Sequence, residues 1–274
     1  MDELARGLLR EFIQRHPRLF ILTGAGCSTD SGIPDYRDTS GEWKGSRRPV
    51  AFQHFMADPA TRRRYWARSM VGWQRFRRAH PNTAHRALAQ LTRHRADTVL
   101  VTQNVDGLHQ LAGSAGTIDL HGRLDQVRCM QCPAYVHRDE MQQRLLEMNP
   151  DWSGLQAADA PDGDAELANL DFDSLQIPAC SHCGGLLKPD VVFFGESVPA
   201  ARVSAAMQAL HAATAVLVVG SSLMVYSGYR FVQAAARAEK PVAAVNLGHT
   251  RADELLALKV EQPCAQALAF LLDW

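Results

Sequence analysis

The chain has 274 residues, room for one large domain or a domain with inserts, and 46% are apolar, so a sizeable core can form. Lys plus Arg and Asp plus Glu both number 29, a zero net charge that excludes a general nucleic-acid binder. The opening Met1-Asp2-Glu3-Leu4-Ala5-Arg6 lacks an apolar signal region, and no apolar run reaches membrane-span length, so a soluble cytoplasmic protein without membrane partners is expected.

Leu4, Leu8, Phe12 and Ile13 recur at helical spacing, which predicts a helix over residues 3–15. Leu19-Phe20-Ile21-Leu22-Thr23 reads as a buried strand running into Gly24-Ala25-Gly26. Pro81-Asn82 ahead of Ala84, Leu88 and Leu91 marks a helix start with Asn82 as N-cap. Further apolar runs follow at residues 98–101, 215–219 and 242–245, with a helix marked by Val203, Met207 and Leu210 before the second of these. Near-continuous apolar strands fit a parallel sheet covered on both faces. The order predicts an α/β fold: a doubly wound, Rossmann-like core over residues 1–40, 95–127 and 187–274. Two stretches do not fit it: a helical insert over 41–94 with Trp43, Trp66 and Trp73, and a cysteine-bearing insert over 128–186 with Pro150, Gly154, Pro161, Gly163 and Pro178. Together they are expected to form a smaller lobe. Residues 59–96 hold ten Arg and no acid, and residues 145–178 hold eight acids and no Lys or Arg, which reads as two solvated surfaces, facing one another or not.

The two pairs Cys129-x-x-Cys132 and Cys180-x-x-Cys183 carry the most specific chemistry. In a cytoplasmic chain, cysteine pairs read as metal ligands before disulfides. Two such knuckles place four thiolates at the corners of a tetrahedron, which suits a closed, structural Zn²⁺ site over two redox or buried thiol pairs. The 47 residues between the pairs must then bulge outward. The glycine loop at Gly24, Ala25 and Gly26 either lets backbone N–H groups approach a pyrophosphate or is a steric requirement of a tight turn. A lone histidine, His121, is more often structural than catalytic. Its weighting changes because Thr102-Gln103-Asn104-Val105-Asp106-Gly107, Gly220-Ser221-Ser222 and Asn246-Leu247-Gly248 also end strands. Four polar strand ends on one edge suggest a ligand site. Cys27 and Cys264 read as small buried apolar residues.

These motifs together resemble the sirtuins, the NAD-dependent protein deacylases. The resemblance rests on residues 24–37 (Gly-Ala-Gly-Cys-Ser-Thr-Asp-Ser-Gly-Ile-Pro-Asp-Tyr-Arg) and 102–109, on His121-Gly122 and the four cysteines, and on residues 188–196 and 220–223. It spans about residues 19–248 with the motif order kept, and Arg64-Tyr65-Trp66-Ala67-Arg68, Val71-Gly72-Trp73 and Tyr226-Ser227-Gly228-Tyr229-Arg230 look like the class II branch. The resemblance implies that an acylated lysine of another protein enters as an added strand between Val192-Phe193-Phe194-Gly195-Glu196 and the turn at Ser227-Gly228. Its acyl oxygen would displace nicotinamide from NAD, and His121 would act as general base on a ribose hydroxyl, titrating near neutrality. Asn104 and Asp106 would hold the nicotinamide ribose and carboxamide beside Ile33, Ser28 and Gln103, with Asn104 also counted as catalytic. Asp35, Tyr36 and Arg37 would belong to the cofactor loop. Gly220, Ser221, Ser222, Asn246, Leu247, Gly248 and the backbone near Cys264 would hold the adenosine half. Cys27 stands where Ile or Val is usual in the family, and Tyr36 where many members have Phe. Alternatives are a protein mono-ADP-ribosyltransferase, a silent NAD-sensing module, and a deacylase for longer or acidic acyl groups. For the last, Tyr65 and Arg68 at i, i+3 would reach an acyl carboxylate. The opposing reading packs Tyr65 on Trp66 or Trp73.

Overall fold

In the computed structural model, residues 3–44, 49–152, 158–159, 165–166 and 172–274 are described. The loop-rich stretch expected around Gly154, Pro161 and Gly163 lies outside them. In chain order the helices are α1 (Glu3–Arg15), α2 (Phe52–Ala57), α3 (Pro59–Phe76), α4 (Thr83–His94), α5 (Leu108–Leu111), α6 (Arg138–Met148), α7 (Ala200–Ala212), α8 (Tyr226–Arg237) and α9 (Cys264–Leu268). The strands are β1 (Leu19–Thr23), β2 (Val99–Thr102), β3 (Ile118–Asp119), β4 (Gly122–Cys129), β5 (Tyr135–His137), β6 (Ala158–Asp159), β7 (Ala165–Glu166), β8 (Leu187–Val191), β9 (Ala215–Val219), β10 (Val242–Val245) and β11 (Leu258–Val260).

Six strands form a parallel sheet in the order β11-β10-β9-β1-β2-β3. Successive strand residues point to opposite faces, so each run feeds two cores. Leu19, Ile21, Leu217, Val219, Ala243 and Val245 pack with α1, α4 and α9 on one face. Phe20, Leu22, Val216, Val218, Val242 and Ala244 pack with α7 and α8 on the other. This is the doubly wound arrangement that the apolar runs predict. Register makes it functional: Thr23 pairs with both Thr102 and Val219, and Val219 with Val245. Four strands therefore end flush, and their outgoing loops share one edge.

The second lobe is built on the antiparallel sheet β5-β4-β8 and covered by α2, α3 and α6. Its core holds Phe55, Tyr65, Trp66, Met70, Val127, Met141, Leu145, Leu187 and Phe193. Arg138 is buried there at 1% exposure, its guanidinium 5.5 Å from the Trp66 ring and 5.1 Å from that of Trp73. It donates to Gln142 Oε1 at 2.8 Å and to the Ser69 carbonyl at 3.0 Å, so the buried charge is answered by acceptors. The basic and acidic stretches do meet: Arg63 pairs with Asp173 at 2.9 Å, and Arg64 lies 5.9 Å from the Phe172 ring.

Lobe borders differ from the expected ones. Within 41–94, α2 and α3 join the smaller lobe, whereas α4 buries Ala84, Ala87, Leu88 and Leu91 against the large sheet. Its apolar stripe also packs on α9 and the C-terminal residues Phe270 and Leu271, which belong to the same core. Strands β4 and β8 pair with one another, so the chain crosses between lobes near residues 121 and 192 rather than at 127 and 187. Gly122 makes the crossing possible: its φ is +83°, and a Cβ there would stand 1.9 Å from the Asp190 carbonyl oxygen.

A buried ion cluster fixes the segment that leaves β8. Lys188 is 1% exposed, and its Nζ lies 2.9 Å from Glu196 Oε2 and 4.4 Å from the Phe193 ring. Glu196 also accepts the Phe193 backbone N–H at 2.9 Å and pairs with Arg128 at 3.1 Å. Glu196→Gln leaves the Lys188 ammonium without its counter-charge and should cost about 3–5 kcal/mol of stability. Lys188→Met combined with Glu196→Gln should cost clearly less than the two changes summed. Urea denaturation of the four proteins measures both quantities, and simple additivity would show that the pair is not coupled.

Candidate active site

The flush strand ends open onto a cleft of about 610 Å³ between the lobes. One wall begins at Gly24, whose N–H donates to the Val219 carbonyl at 3.0 Å, while Gly26 N–H donates to the Gly220 carbonyl at 2.9 Å. A Cβ on Gly24 would stand 2.7 Å from Ser221 Cβ and 2.8 Å from the Gly220 oxygen. The two loops are thus in backbone contact, and the glycines are a steric necessity. Gly24, Ala25, Gly26, Gly220, Ser221 and Ser222 all line the cleft.

Behind this wall a hydrogen-bond chain fixes the polar floor. Asn104 Nδ2 donates to the Gly24 carbonyl and to Ser28 Oγ, both at 3.0 Å. Ser28 Oγ in turn donates to Asp106 Oδ2 at 2.7 Å, and Asp106 Oδ1 accepts the Leu108 N–H at 2.9 Å. Burial raises the Asp106 carboxyl above its ordinary value, opposed by these donors. Gln103 Nε2 donates to Ser221 Oγ at 2.8 Å, tying the β2 and β9 loops together.

His121 stands where β3 hands over to β4. Its Nδ1 lies 2.9 Å from the Gln103 carbonyl, which can only accept, so Nδ1 carries the proton. The lone pair on Nε2 is left basic and accepts from Ser227 Oγ at 2.7 Å. Burial pushes the imidazole down to about 4, against the pull of the Gln103 carbonyl, and the charges of Arg202 and Arg230 lower it further. Burial in the cleft therefore favours the neutral base over the near-neutral titration expected from the sequence.

The loop that covers the cleft contributes Ile33, Asp35, Tyr36 and Arg37. The Tyr36 ring lies 5.3 Å from that of Trp43, and Arg37 caps the other contact of Trp43 at 5.5 Å. Asp35 is paired with Lys44. Asn246 and Leu247 line the far end of the cleft. Gly248 does not; it supports the covering loop, since a Cβ there would stand 2.1 Å from the Thr39 oxygen. Cys264 is also behind the cleft wall, buried near the Val245 carbonyl.

Val192, Phe193, Phe194 and Gly195 form the facing wall. Val192 N–H donates to the His121 carbonyl at 2.8 Å, and Gly195 holds a φ of +76° with its carbonyl accepting from Gln53. Phe194 is 43% exposed beside Trp43, an apolar rim for an incoming chain. Tyr65 and Arg68 are not brought to this wall. Tyr65 is 6% exposed, its ring 5.4 Å from Phe55, 5.6 Å from Trp66 and 5.2 Å from Phe193. It supports Phe193 from behind, which is the packing reading of Tyr65, and Arg68 does not line the cleft. Arg230, Trp43 and Phe76 line the cleft without having been singled out as site residues; Ser227, expected in a turn flanking the peptide, also lines it but opens α8. The only signal for Ser227 was its place in the Tyr226-Ser227-Gly228 turn, since a serine at a helix start is unremarkable by itself.

At the distal end of the small sheet, the four knuckle sulfurs lie within 4.8 Å of one another, with Cys129 and Cys183 at 3.5 Å and Cys132 and Cys180 at 3.8 Å. No disulfide joins them. A tetrahedron with Zn–S bonds of about 2.3 Å has edges of about 3.8 Å, so the donor set fits that ion.

Comparison with known proteins agrees with this geometry. The model of the Sir2 family matches residues 24–227. An NAD-dependent protein deacetylase of Xanthomonas campestris pv. campestris (strain 8004) is 65% identical over 263 residues, covering 96% of this chain and 89% of its own. NAD-dependent protein deacetylase 2 of Bradyrhizobium diazoefficiens is 61% identical over 269 residues, covering 98% of both. The solved complex Sir2-p53 peptide-NAD+ is 27% identical, with a TM-score of 0.75 over 97% of this chain and 96% of that one. By sequence, fold and site, the chain belongs to the Sir2 family, the sirtuins.

Proposed function

We propose that the protein is an NAD-dependent protein-lysine deacylase, which moves the acyl group of a modified lysine onto ADP-ribose and releases nicotinamide. The observation that carries this reading is His121: one ring nitrogen is anchored to a carbonyl and the other is a neutral base aimed into the cleft. Relatives named NAD-dependent protein deacetylase at 65% and 61% identity support it. NAD, when bound, supplies the ribose carbon that receives the acyl oxygen and the nicotinamide that departs. Asn104, Ser28 and Asp106 hold the ribose and base end, and Gly220, Ser221 and Asn246 the adenosine end. With NAD bound, His121 Nε2 would accept the proton of a ribose hydroxyl in place of that of Ser227 Oγ. The Nδ1–H bond to Gln103 steadies the ring as it becomes charged, and Arg202 and Arg230 keep the proton from staying there. The acylated peptide would lie as a strand between residues 192–196 and Ser227-Gly228, which open α8 where the sequence suggested a loop turn. Cys129, Cys132, Cys180 and Cys183 hold Zn²⁺ far from the chemistry, with the work of folding the small lobe. No helix among the described residues is long and apolar enough to cross a membrane.

Mass spectrometry of the protein with NAD and acetyl-lysine peptide should detect O-acetyl-ADP-ribose. ADP-ribose attached to protein, with no acyl transfer, would instead identify a mono-ADP-ribosyltransferase. His121→Ala should still bind NAD but turn over about 10²–10⁴ times more slowly. Because the base form is needed and its pKa is pushed down to about 4, activity through His121 is present above that pH. It is lost only as pH falls through that value. A kcat/KM profile with a His121-dependent limb near 6.5 would contradict the buried, neutral state. Cys180→Ser should lose zinc by elemental analysis and most soluble yield with it; a zinc-free, folded and active Cys180→Ser protein would remove the structural role.

A further inference from the structure

On the far side of the Ala25–Cys27 turn from the cleft, Cys27, His85 and His109 converge. They are 1%, 0% and 1% exposed, and none of them lines the cleft. The Cys27 sulfur and one ring nitrogen from each histidine lie within 4.8 Å of one another. The two imidazole centroids are 4.8 Å apart, tilted by 58°. Three donors of this type in one apolar core are unusual, because each must be satisfied or left at a cost.

Hydrogen bonds show which donors are open. His109 Nε2 lies 2.9 Å from Thr23 Oγ1, whose own proton goes to Thr102 Oγ1 at 2.8 Å. Nε2 must therefore donate, and Nδ1 is a bare lone pair. That buried Nδ1 has no hydrogen-bond partner. Leaving such a group unsatisfied costs about 1–3 kcal/mol. His85 is held by two long contacts: Ser28 Oγ gives its proton to Asp106, so His85 Nε2 donates to Ser28 Oγ at 3.4 Å, and Nδ1 accepts the Asn82 N–H at 3.3 Å, a lone pair released for the loss of one weak bond. Burial keeps both imidazoles neutral, His85 pushed down to about 4 and His109 well below its ordinary value, which is the state a metal requires. Burial raises the Cys27 thiol well above its usual range, so its thiolate forms only with a cation against it.

We infer that Cys27, His85 and His109 form a binding site for a soft monovalent cation, Cu⁺, directly behind the cofactor turn. One thiolate and two neutral imidazoles around Cu⁺ sum to zero charge; around a divalent ion they leave a net positive charge sealed in the core, which is costly. Thiolate softness favours Cu⁺ as well, and three buried donors with no exposed fourth position suit its low coordination number. Binding forms a Cu–S bond and breaks the S–H bond. The thiol proton leaves to solvent, and no electron is transferred.

The test uses the whole protein as purified, kept reduced and free of oxygen. Cu⁺ is delivered from a bicinchoninate buffer to the wild type and to Cys27→Ile. Isoleucine is the apolar residue common at this position in the family, and thermal unfolding without copper checks that the variant is folded. Copper and zinc are then counted on the recovered proteins, and proton release is followed with a pH indicator. The wild type should retain one more Cu⁺ per chain than Cys27→Ile, with unchanged zinc and about one proton released per extra copper. Equal copper retention by the two proteins overturns the site. So does extra copper in the wild type that is matched mole for mole by zinc loss.

Discussion

No side chain fits between the turn after β1 and the turn after β9, and the site depends on that contact. The Gly24 and Gly26 amides bond into residues 219 and 220, and a Cβ on Gly220 would fall 2.3 Å from the Cys27 nitrogen. The contact holds because the two strands run in register and end together. It fixes where Ser28 begins, and Ser28 is the joint through which Asn104 and Asp106 are positioned. A substituent at any of these glycines would part the loops before it touched a ligand.

The second lobe acts on the site more indirectly. It contributes the residue 192–196 wall, whose shape is set from below by Lys188 and Glu196 and from behind by Tyr65. Buried charge is tolerated here because the cluster orders backbone: Glu196 spends one oxygen on the Phe193 amide. The cysteine knuckles hold the ends of β4 and the start of β8 together, so they bear on the same wall across the length of the small sheet.

The parts of the fold that were plain in the sequence are those with one dominant environment. Strands β9 and β10 are apolar throughout, and β1 and β2 up to their closing Thr23 and Thr102, because both faces are covered. β11 was missed: Leu258-Lys259-Val260 is short and lies at an edge, where a lysine is tolerated. β4 and β8 were hidden for another reason. Arg123, Asp125 and Lys188 interrupt them; Arg123 and Asp125 answer each other two residues apart, and Lys188 is answered by Glu196 from beyond the strand. α4 was visible as a stripe, but a stripe does not name the surface it covers. In the site, glycines and polar strand ends were legible because parallel sheets bring strand ends to one edge. The Ser227 contact to His121 was not, since it joins residues 106 positions apart.

His121 sits at the crossing between the lobes, and it is held from both sides. Its ring is bonded to Gln103 on the large sheet, while its carbonyl accepts from Val192 on the peptide-facing wall. Neither body alone determines where Nε2 points. A change in the angle between the lobes would move both anchors of His121, so the aim of the base is tied to how the two lobes sit on one another.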